Sequence, residues 1–327
     1  MSEYLLDIKD LRVTYQSDEE VVEAVNDVSL TIHEGEILGL VGETGAGKTT
    51  LAKAIMGLIR KPSGHINGGE IYYQDKDLLA ADEKTIRQIR GNDISMIFQD
   101  PMTSLNPVMT VGDQITEVIK EHRDIPVKEA EDAAKEMLQM VGIPADRYYD
   151  YPHQFSGGMK QRIVISIALA CNPRLLIADE PTTALDVTIQ AQILDLINRL
   201  IRKNHASMLL ITHDLGVVAQ NCDRIAIMYA GEIVEEGGVY DIFDHPSHPY
   251  TKGLLNSIPK LEQNEKRLQP INGLPPDPTR LPEGCNFYDR CPYRIDRCEK
   301  ENPGPVELTP SHRCRCFLTQ EEESAHE

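Results

Sequence analysis

The sequence contains no apolar stretch long enough to cross a bilayer, which takes about 20 consecutive apolar residues. Its N-terminus, MSEYLLDIKD, also lacks the basic start and the apolar segment that mark a secretory signal. We therefore expect a protein that is made and kept in the cytosol. Association with the cytoplasmic face of the cell membrane, as a peripheral protein, should then run through a protein partner.

Basic residues are few, because 33 Lys and Arg stand against 52 Asp and Glu and the net charge is −19. Tight unaided binding to nucleic acid or to anionic lipid needs a basic surface, so both are disfavoured. Hydrophobic residues make up 41% of the 327 positions, which is enough for a sizeable core. The length suits one large α/β domain with a smaller appendix.

The segment GETGAGKT, Gly42 to Thr49, has the residue spacing of a phosphate-binding P-loop. Its glycines let backbone N–H groups point at phosphates, beside the positive end of the next helix. Lys48 would reach the β- and γ-phosphates, and the Thr49 hydroxyl would bind Mg²⁺. The apolar run EILGLVG before the loop predicts a buried strand, and LAKAIMGLI, residues 51–59, predicts a helix after it.

The remaining pattern predicts an α/β fold with an inserted helical part. Alternation of apolar and polar residues between positions 5 and 40 indicates an antiparallel β-layer. Helical periodicity in VGDQITEVIKEH and VKEAEDAAKEMLQMVG indicates a helical subdomain inserted at about residues 100–172. Further strands are predicted at ISMIF (94–98), LLIA (175–178), MLLIT (208–212) and RIAIMY (224–229).

Two later segments complete a set of motifs. Ser156-Gly157-Gly158 lies within FSGGMKQR, and LLIADE, Leu175 to Glu180, is an apolar run that ends in two acids. These two segments follow the P-loop in the order found in the nucleotide-binding subunits of ABC transporters, which the chain therefore resembles. The resemblance covers its first 260 residues or so. The resemblance implies a P-loop NTPase fold, with residues 1–260 as the nucleotide-binding domain.

The resemblance also implies the residues of hydrolysis. Glu180 matches the catalytic base that polarises the attacking water, and His213 matches the switch histidine that hydrogen-bonds the γ-phosphate. Gln99 matches the Q-loop, whose amide touches Mg²⁺ or the attacking water. Asp179 matches the Walker B acid, so Mg²⁺ would be held by Thr49, Gln99 and Asp179.

The nucleotide itself would be shared between two subunits. Phe155 and Met159 depart from the usual signature, yet the Ser156-Gly157-Gly158 that remains would bind the γ-phosphate of ATP held by the opposite subunit. Asp186 matches the D-loop, which bridges the subunits, and Tyr15 matches the aromatic ring that stacks on adenine. The nucleotide-binding residues implied in this way are Tyr15, Gly42, Glu43, Thr44, Gly45, Ala46, Gly47, Lys48, Thr49, Thr50, Gln99, Ser156, Gly157, Gly158, Asp179 and Asp186.

Five of the seven cysteines lie in the C-terminal segment, residues 261–327, whose first part is rich in proline. In a reducing cytosol such clustering favours a metal or Fe–S site over disulfides. The segment resembles the C-terminal extension of oligopeptide, dipeptide and nickel importer ATPases, which in several members binds a [4Fe–4S] cluster. The ligands would be Cys285, Cys291, Cys298 and Cys316, with Cys314 competing for the fourth position and Zn²⁺ as the alternative occupant.

The function implied by the resemblance is ATP hydrolysis that drives an importer of the peptide and nickel class. The expected partners are a second ABC ATPase subunit, of a paralogous kind, two transmembrane permease subunits and an extracytoplasmic substrate-binding protein. Nickel and oligosaccharides remain alternative cargoes, and a soluble ABC ATPase outside transport is a further alternative. FSGGM is similar to the signature of peptide-importer ATPases, so di- and oligopeptides are preferred.

Overall fold

The structure, a computed structural model, describes residues 4–183, 185–257 and 270–324. No helix in these ranges is both long and apolar enough to span a membrane. The strands are β1 (Leu6–Gln16), β2 (Val21–Ile32), β3 (Ile37–Val41), β4 (Gly64–Tyr73), β5 (Lys76–Asp77), β6 (Ile94–Ile97), β7 (Leu175–Asp179), β8 (Ser207–Thr212), β9 (Arg224–Tyr229), β10 (Glu232–Gly238), β11 (Val306–Thr309) and β12 (His312–Cys314).

Helices and strands are interspersed along the chain, with single helices joining β7 to β8 and β8 to β9 as in an α/β protein. They are α1 (Lys48–Ile55), α2 (Glu83–Ile89), α3 (Pro101–Ser104), α4 (Val111–His122), α5 (Val127–Met140), α6 (Gly157–Leu169), α7 (Val187–Lys203), α8 (Leu215–Asn221), α9 (Val239–Asp244), α10 (Pro249–Asn256), α11 (Arg297–Lys300) and α12 (Phe317–Ser324). Short 3₁₀ turns lie at Ala145–Tyr149, Pro152–Gln154 and Tyr288–Arg290.

The chain forms two compact units, and the first comprises Met1–Leu5, Ile32–Ile37 and Tyr73–Ile211. Its sheet is parallel, with β7 between β6 and β8. All three strands are almost wholly apolar and buried, as expected of parallel strands covered on both faces. Their carboxyl ends therefore lie at one edge, where ligands of such sheets bind.

The helical part of the first unit confirms the predicted helices. Thr110 accepts a hydrogen bond from the Asp113 N–H and so begins α4 at the predicted residue. One stripe of α4, spaced by four residues, is fully buried and ends at Ile119. The helix α5 buries Ala130, Ala134, Met137 and Leu138, and α4, α5 and α6 pack on one another.

The second unit comprises Leu6–Thr31, Leu38–Tyr72 and Thr212–Glu327. One layer has the strand order β2–β1–β4. A second layer runs β3–β9–β10–β12–β11, with β3 and β9 parallel and the remaining pairs antiparallel. The Cys-rich segment thus adds two strands to the edge of the sheet that starts at the P-loop strand.

Two details differ from the predictions. The helix after the P-loop ends at Ile55 rather than at residue 59, because Gly57 takes a left-handed φ of 61° and turns the chain. The strands β4, β10, β11 and β12 were not predicted. The strands β4, β10 and β12 are rich in Gly, Glu, His and Arg and lack a sustained alternation of apolar and polar residues, whereas β11 alternates but is only four residues long.

Candidate functional site

The P-loop of the second unit joins β3 to α1 through a turn that only glycine can form. Gly47 has a φ of 105°, and a Cβ there would lie 2.3 Å from the Ala24 carbonyl oxygen. A Cβ at Gly42 would lie 2.1 Å from the carbonyl oxygen of Met228. The loop is therefore packed tightly against β2 and β9 on one side, which fixes its path.

Lys48 is held across this loop and is only 5% exposed. Its Nζ donates to the carbonyl oxygens of Gly42, at 2.8 Å, and Glu43, at 2.9 Å. Thr49 and Thr50 follow in the first turn of α1, where backbone N–H groups lack helical partners and the helix dipole is positive. Phosphate chemistry fits this arrangement, because one ammonium group and several N–H groups are gathered at one helix start.

His213 and Tyr15, the other predicted residues of this unit, occupy accessible positions. His213 follows the end of β8 and is exposed, and the next residue, Asp214, caps α8 by accepting from the Gly216 N–H at 2.8 Å. Tyr15 lies near the end of β1 and is half-buried, with its ring edge beside Gly64. Both side chains therefore keep a face that a ligand can reach.

The carboxylates of the first unit lie at the carboxyl end of β7. Asp179 is the last residue of the strand and is 2% exposed. Glu180 takes a left-handed φ of 46°, and its N–H donates to the Ile211 carbonyl at 2.9 Å. Its Oε2 accepts from Gln99 Nε2 at 3.0 Å and from Thr183 Oγ1 at 3.1 Å. The structure thus brings Gln99 and Glu180 together, although 81 positions separate them.

The signature and D-loop residues begin two helices of the first unit. Ser156 is the N-cap of α6, and Ser156 and Gly157 are exposed. Asp186 caps α7, and its Oδ1 accepts from the Ile189 N–H at 3.0 Å. Buried Gln161 of α6 donates to the Pro181 carbonyl at 2.5 Å, which ties the signature helix to the turn that follows Glu180.

The structure separates Cys314 from the other four cysteines of the extension. Cys285, Cys291, Cys298 and Cys316 line one cavity with Phe287 and Phe317. Cys314 ends β12 and lines a different cavity, beside Glu235 and Arg313. Among the described residues, no group of three or more His, Cys, Asp or Glu side chains is arranged to hold a single metal ion.

Sequence reasoning missed the residues that hold the start of the P-loop. Arg290 of the extension forms a bidentate ion pair with Glu43, and the Tyr250 hydroxyl accepts from the Glu43 N–H at 3.1 Å. Thr183, the second donor to Glu180, was missed as well. The pair formed by Arg290 and Glu43 spans 247 positions and leaves no periodic signal in the sequence.

Comparison with known proteins agrees with this geometry. The family model for the ABC transporter matches residues 25–183, and the model for the C-terminal region of oligopeptide and dipeptide transporters matches residues 234–298. The dipeptide transport ATP-binding protein DppD of Bacillus subtilis (strain 168) is 50% identical over 326 residues, which cover 99% of this chain and 97% of that protein. The chain belongs to the ABC transporter family.

A second curated relative and a solved structure are also similar to this chain. The oligopeptide transport ATP-binding protein OppD of Bacillus subtilis (strain 168) is 50% identical over 96% of this chain and 88% of its own length. Among solved structures, the dimeric ATP-binding cassette MJ0796 in a post-hydrolysis state with ADP and Pi superposes with a TM-score of 0.64 at 30% identity. That likeness covers 72% of this chain and 98% of the cassette. The α/β P-loop fold is confirmed, and the chain is an ABC transporter ATPase.

Proposed function

We propose that this ATPase energises the uptake of di- and oligopeptides across the cytoplasmic membrane. The match of residues 234–298 to the C-terminal region of oligopeptide and dipeptide transporters carries this proposal. The names of the relatives DppD and OppD support the same class of cargo. Nickel and oligosaccharides are the competing cargoes in the test below.

Within this function, Glu180 is the general base. It takes the proton of the water that attacks the γ-phosphate, while the bond from the γ-phosphorus to the bridging oxygen breaks and ADP leaves with that oxygen. Gln99 and Thr183 support this role, because both donate to the same carboxylate oxygen, Oε2, and so fix the position of the carboxylate. His213 hydrogen-bonds the γ-phosphate, and Lys48 stabilises charge on the phosphates.

Mg²⁺ and ATP complete the site. Thr49, Gln99 and Asp179 would hold Mg²⁺, which neutralises charge on the phosphate oxygens when bound. Hard oxygen donors of this kind suit Mg²⁺. The exposed Ser156 and Gly157 would bind the γ-phosphate of ATP held on a second subunit, since the N-terminus of α6 faces solvent.

The proposed assembly contains two nucleotide-binding subunits, two permeases and an extracytoplasmic binding protein. We propose a paralogous ATPase as the second subunit and the cytoplasmic face of the membrane as the location. The dimeric state of the MJ0796 cassette supports the pairing of two such subunits. The cycle is then a shift between open and closed pairs, driven by ATP binding and reversed by hydrolysis.

The hydrolytic step is tested with Glu180→Gln. This variant keeps the hydrogen bonds that a side-chain oxygen accepts but cannot take a proton. We expect turnover to fall by at least about a hundredfold while ATP binding persists. Sedimentation should show an ATP-dependent pair, either of two copies or of one copy with its paralogue. Unchanged turnover, or a strictly monomeric chain with ATP, paralogue and permeases all present, would contradict the proposal.

The cargo is tested in proteoliposomes that hold the permeases, both ATPases and the binding protein. Hydrolysis should rise several-fold with a mixture of di- to pentapeptides. Stimulation by Ni²⁺ or by oligosaccharides alone would overturn the peptide assignment while leaving the importer intact. A rate of ATP hydrolysis that is unchanged when the permeases are omitted, and unchanged by every cargo, would instead favour a soluble ABC ATPase.

We further propose that the extension holds a [4Fe–4S] cluster through Cys285, Cys291, Cys298 and Cys316. Four thiols lining one cavity supply the right kind and number of ligands, and their spacing in the sequence does not match the compact zinc patterns. Burial raises the pKa of the Cys285 thiol to about 12, and binding to a metal would release that proton. A cluster would cross-link a segment that is otherwise poor in regular structure.

Metal analysis after anaerobic purification tests this proposal. Iron and acid-labile sulfide should be present in about equal amounts, with the broad visible absorption of a cluster. Cys316→Ser should lose them, whereas Cys314→Ser should retain them. Stoichiometric zinc without sulfide would overturn the cluster, and loss of iron in Cys314→Ser alone would overturn the ligand assignment.

A further inference from the structure

An ion pair joins the Cys-rich extension to the P-loop within the second unit. Arg290 ends the short turn Tyr288–Arg290, directly before Cys291. Its Nη1 donates to Glu43 Oε2 at 2.8 Å, and its Nη2 donates to Glu43 Oε1 at 2.9 Å. Glu43 is the second residue of the P-loop. Such bidentate contacts fix the direction of a carboxylate as well as its position.

The surroundings hold the guanidinium rigidly. The Arg290 side chain is only 5% exposed, its Nε donates to the Asn272 carbonyl at 3.2 Å, and its Nη1 also donates to the Tyr229 hydroxyl at 3.2 Å. The rings of Tyr229 and Phe287 lie 5.6 and 5.9 Å from its central carbon. A guanidinium stays protonated in proteins, so Arg290 brings a full positive charge to this position.

Glu43 is held at its backbone as well as at its side chain. Its N–H donates to the hydroxyl of Tyr250, a fully buried residue of α10. Tyr250, Tyr229 and Phe287 pack in one apolar cluster, to which Cys285 and Cys291 also contribute. The first turn of the P-loop therefore rests on side chains that follow it by about two hundred positions or more in the sequence.

The negative charge of Glu43 explains why a positively charged partner such as Arg290 is needed beside the P-loop. A P-loop binds a triphosphate through N–H groups and a lysine, and a carboxylate on the same loop repels that anion. Lys48 Nζ lies only 2.9 Å from the Glu43 carbonyl oxygen, so this acid belongs to the immediate phosphate-binding segment. Arg290 cancels the negative charge and holds the carboxylate in one direction.

We propose that Arg290 is a positioning residue for nucleotide binding, which acts by orienting Glu43 and neutralising its charge. The Cys-rich extension is then part of the ATP-binding machinery rather than an independent appendage. The proposal depends on the ATPase assignment and is independent of the cargo. It makes the affinity for ATP depend on a residue outside every motif of the cassette.

The test measures binding of a fluorescent ATP analogue to the full-length chain with Mg²⁺ at two salt concentrations. Arg290→Ala should raise the Kd by about tenfold at low salt, with a smaller increase at high salt because the repulsion is screened. Arg290→Lys keeps the charge but loses the bidentate geometry, so it should recover part of the affinity. Arg313→Ala, which breaks the exposed pair with Glu307 in the same extension, is the matched control and should leave the Kd unchanged.

The decisive variant is the double substitution Arg290→Ala with Glu43→Gln. Removing the unpaired carboxylate should bring the Kd back to within about twofold of Glu43→Gln alone. A merely structural role of Arg290 predicts no such rescue. Wild-type affinity in Arg290→Ala, or equal weakness of the single and double variants, would overturn the proposal. If Arg290→Ala fails to fold by circular dichroism, the comparison of Arg290→Lys with Arg290→Lys/Glu43→Gln decides in the same way.

Discussion

Glu180 shows how one residue stores strain at the candidate catalytic site. Its φ of 46° lies in the left-handed region, which side chains other than Gly, Asn and Asp enter rarely. The conformation persists because the N–H is bonded to Ile211 and the carboxylate to Gln99 and Thr183. The backbone turn and these bonds therefore hold the carboxylate beside Gln99 and Thr183.

Gly47 of the P-loop combines two constraints, a left-handed φ and a close backbone neighbour. We predict that Gly47→Ala reduces ATP affinity at least about a hundredfold, because a Cβ would lie 2.3 Å from the Ala24 carbonyl and the φ of 105° is strained for alanine. Gly35→Ala is the control, since Gly35 also has a positive φ but a Cβ there meets nothing within 4 Å. Binding of a fluorescent ATP analogue to both variants measures the difference, and equal losses would contradict the packing argument.

At the scale of elements, β10 joins the cassette to the extension through one buried carboxylate. Glu235 accepts from the N–H groups of Ser247 and His248 and is bonded to His312 Nε2 at 2.8 Å. Burial raises the pKa of Glu235, but these hydrogen bonds outweigh it and hold the pKa below its ordinary value of 4.5. The charged form is therefore stabilised by the fold, and it links β10, β12 and the start of α10.

This network predicts a pH dependence of stability. Because the folded pKa of Glu235 is lower than the unfolded one, its contribution is present above about pH 4.5 and is lost as the pH falls below that value. Glu235→Gln should lower the free energy of unfolding by about 2 kcal/mol at pH 7. It should also reduce the loss of stability that the protein shows between pH 7 and pH 4. Denaturant unfolding at pH 7 and pH 4 measures both effects. Glu307→Gln, in an exposed pair with Arg313, is the control and should change neither the stability at pH 7 nor its loss at pH 4. If Glu235→Gln lost as much stability between pH 7 and pH 4 as the wild type, the assignment to Glu235 would be refuted.

The success of the sequence reasoning also varied by element. The segments with strong local signals, such as α4 with its Thr110 cap and the apolar strand β7, were predicted to within a residue. No local sequence pattern marked β10 and β12 as strands. Their buried Glu235 and His312 form a hydrogen bond with each other only after segments that are distant in the sequence come together. For the same reason the motifs located Glu43 but not Arg290, since a contact over 247 positions follows from the fold rather than from spacing.

At the scale of the whole molecule, charge limits how the ATPase can reach a membrane. The chain carries a net charge of −19. Anionic lipid repels such a protein over a Debye length of about 10 Å at 0.1 M salt. The proposed importer therefore needs the permeases to supply the contact, and the ATPase should not accumulate on bare lipid.

We predict that the purified chain fails to co-float with vesicles rich in anionic lipid at 0.1 M salt, and that it co-floats once the two permeases are incorporated. Electrostatic repulsion should lower the fraction of the protein that floats with protein-free vesicles as the salt concentration falls. Attraction through basic patches would instead raise that fraction. Vesicles carrying an unrelated membrane protein provide the control. Flotation with protein-free anionic vesicles would show that the net charge is a poor guide to this surface, and flotation with the unrelated protein would show that the permeases are not the specific contact.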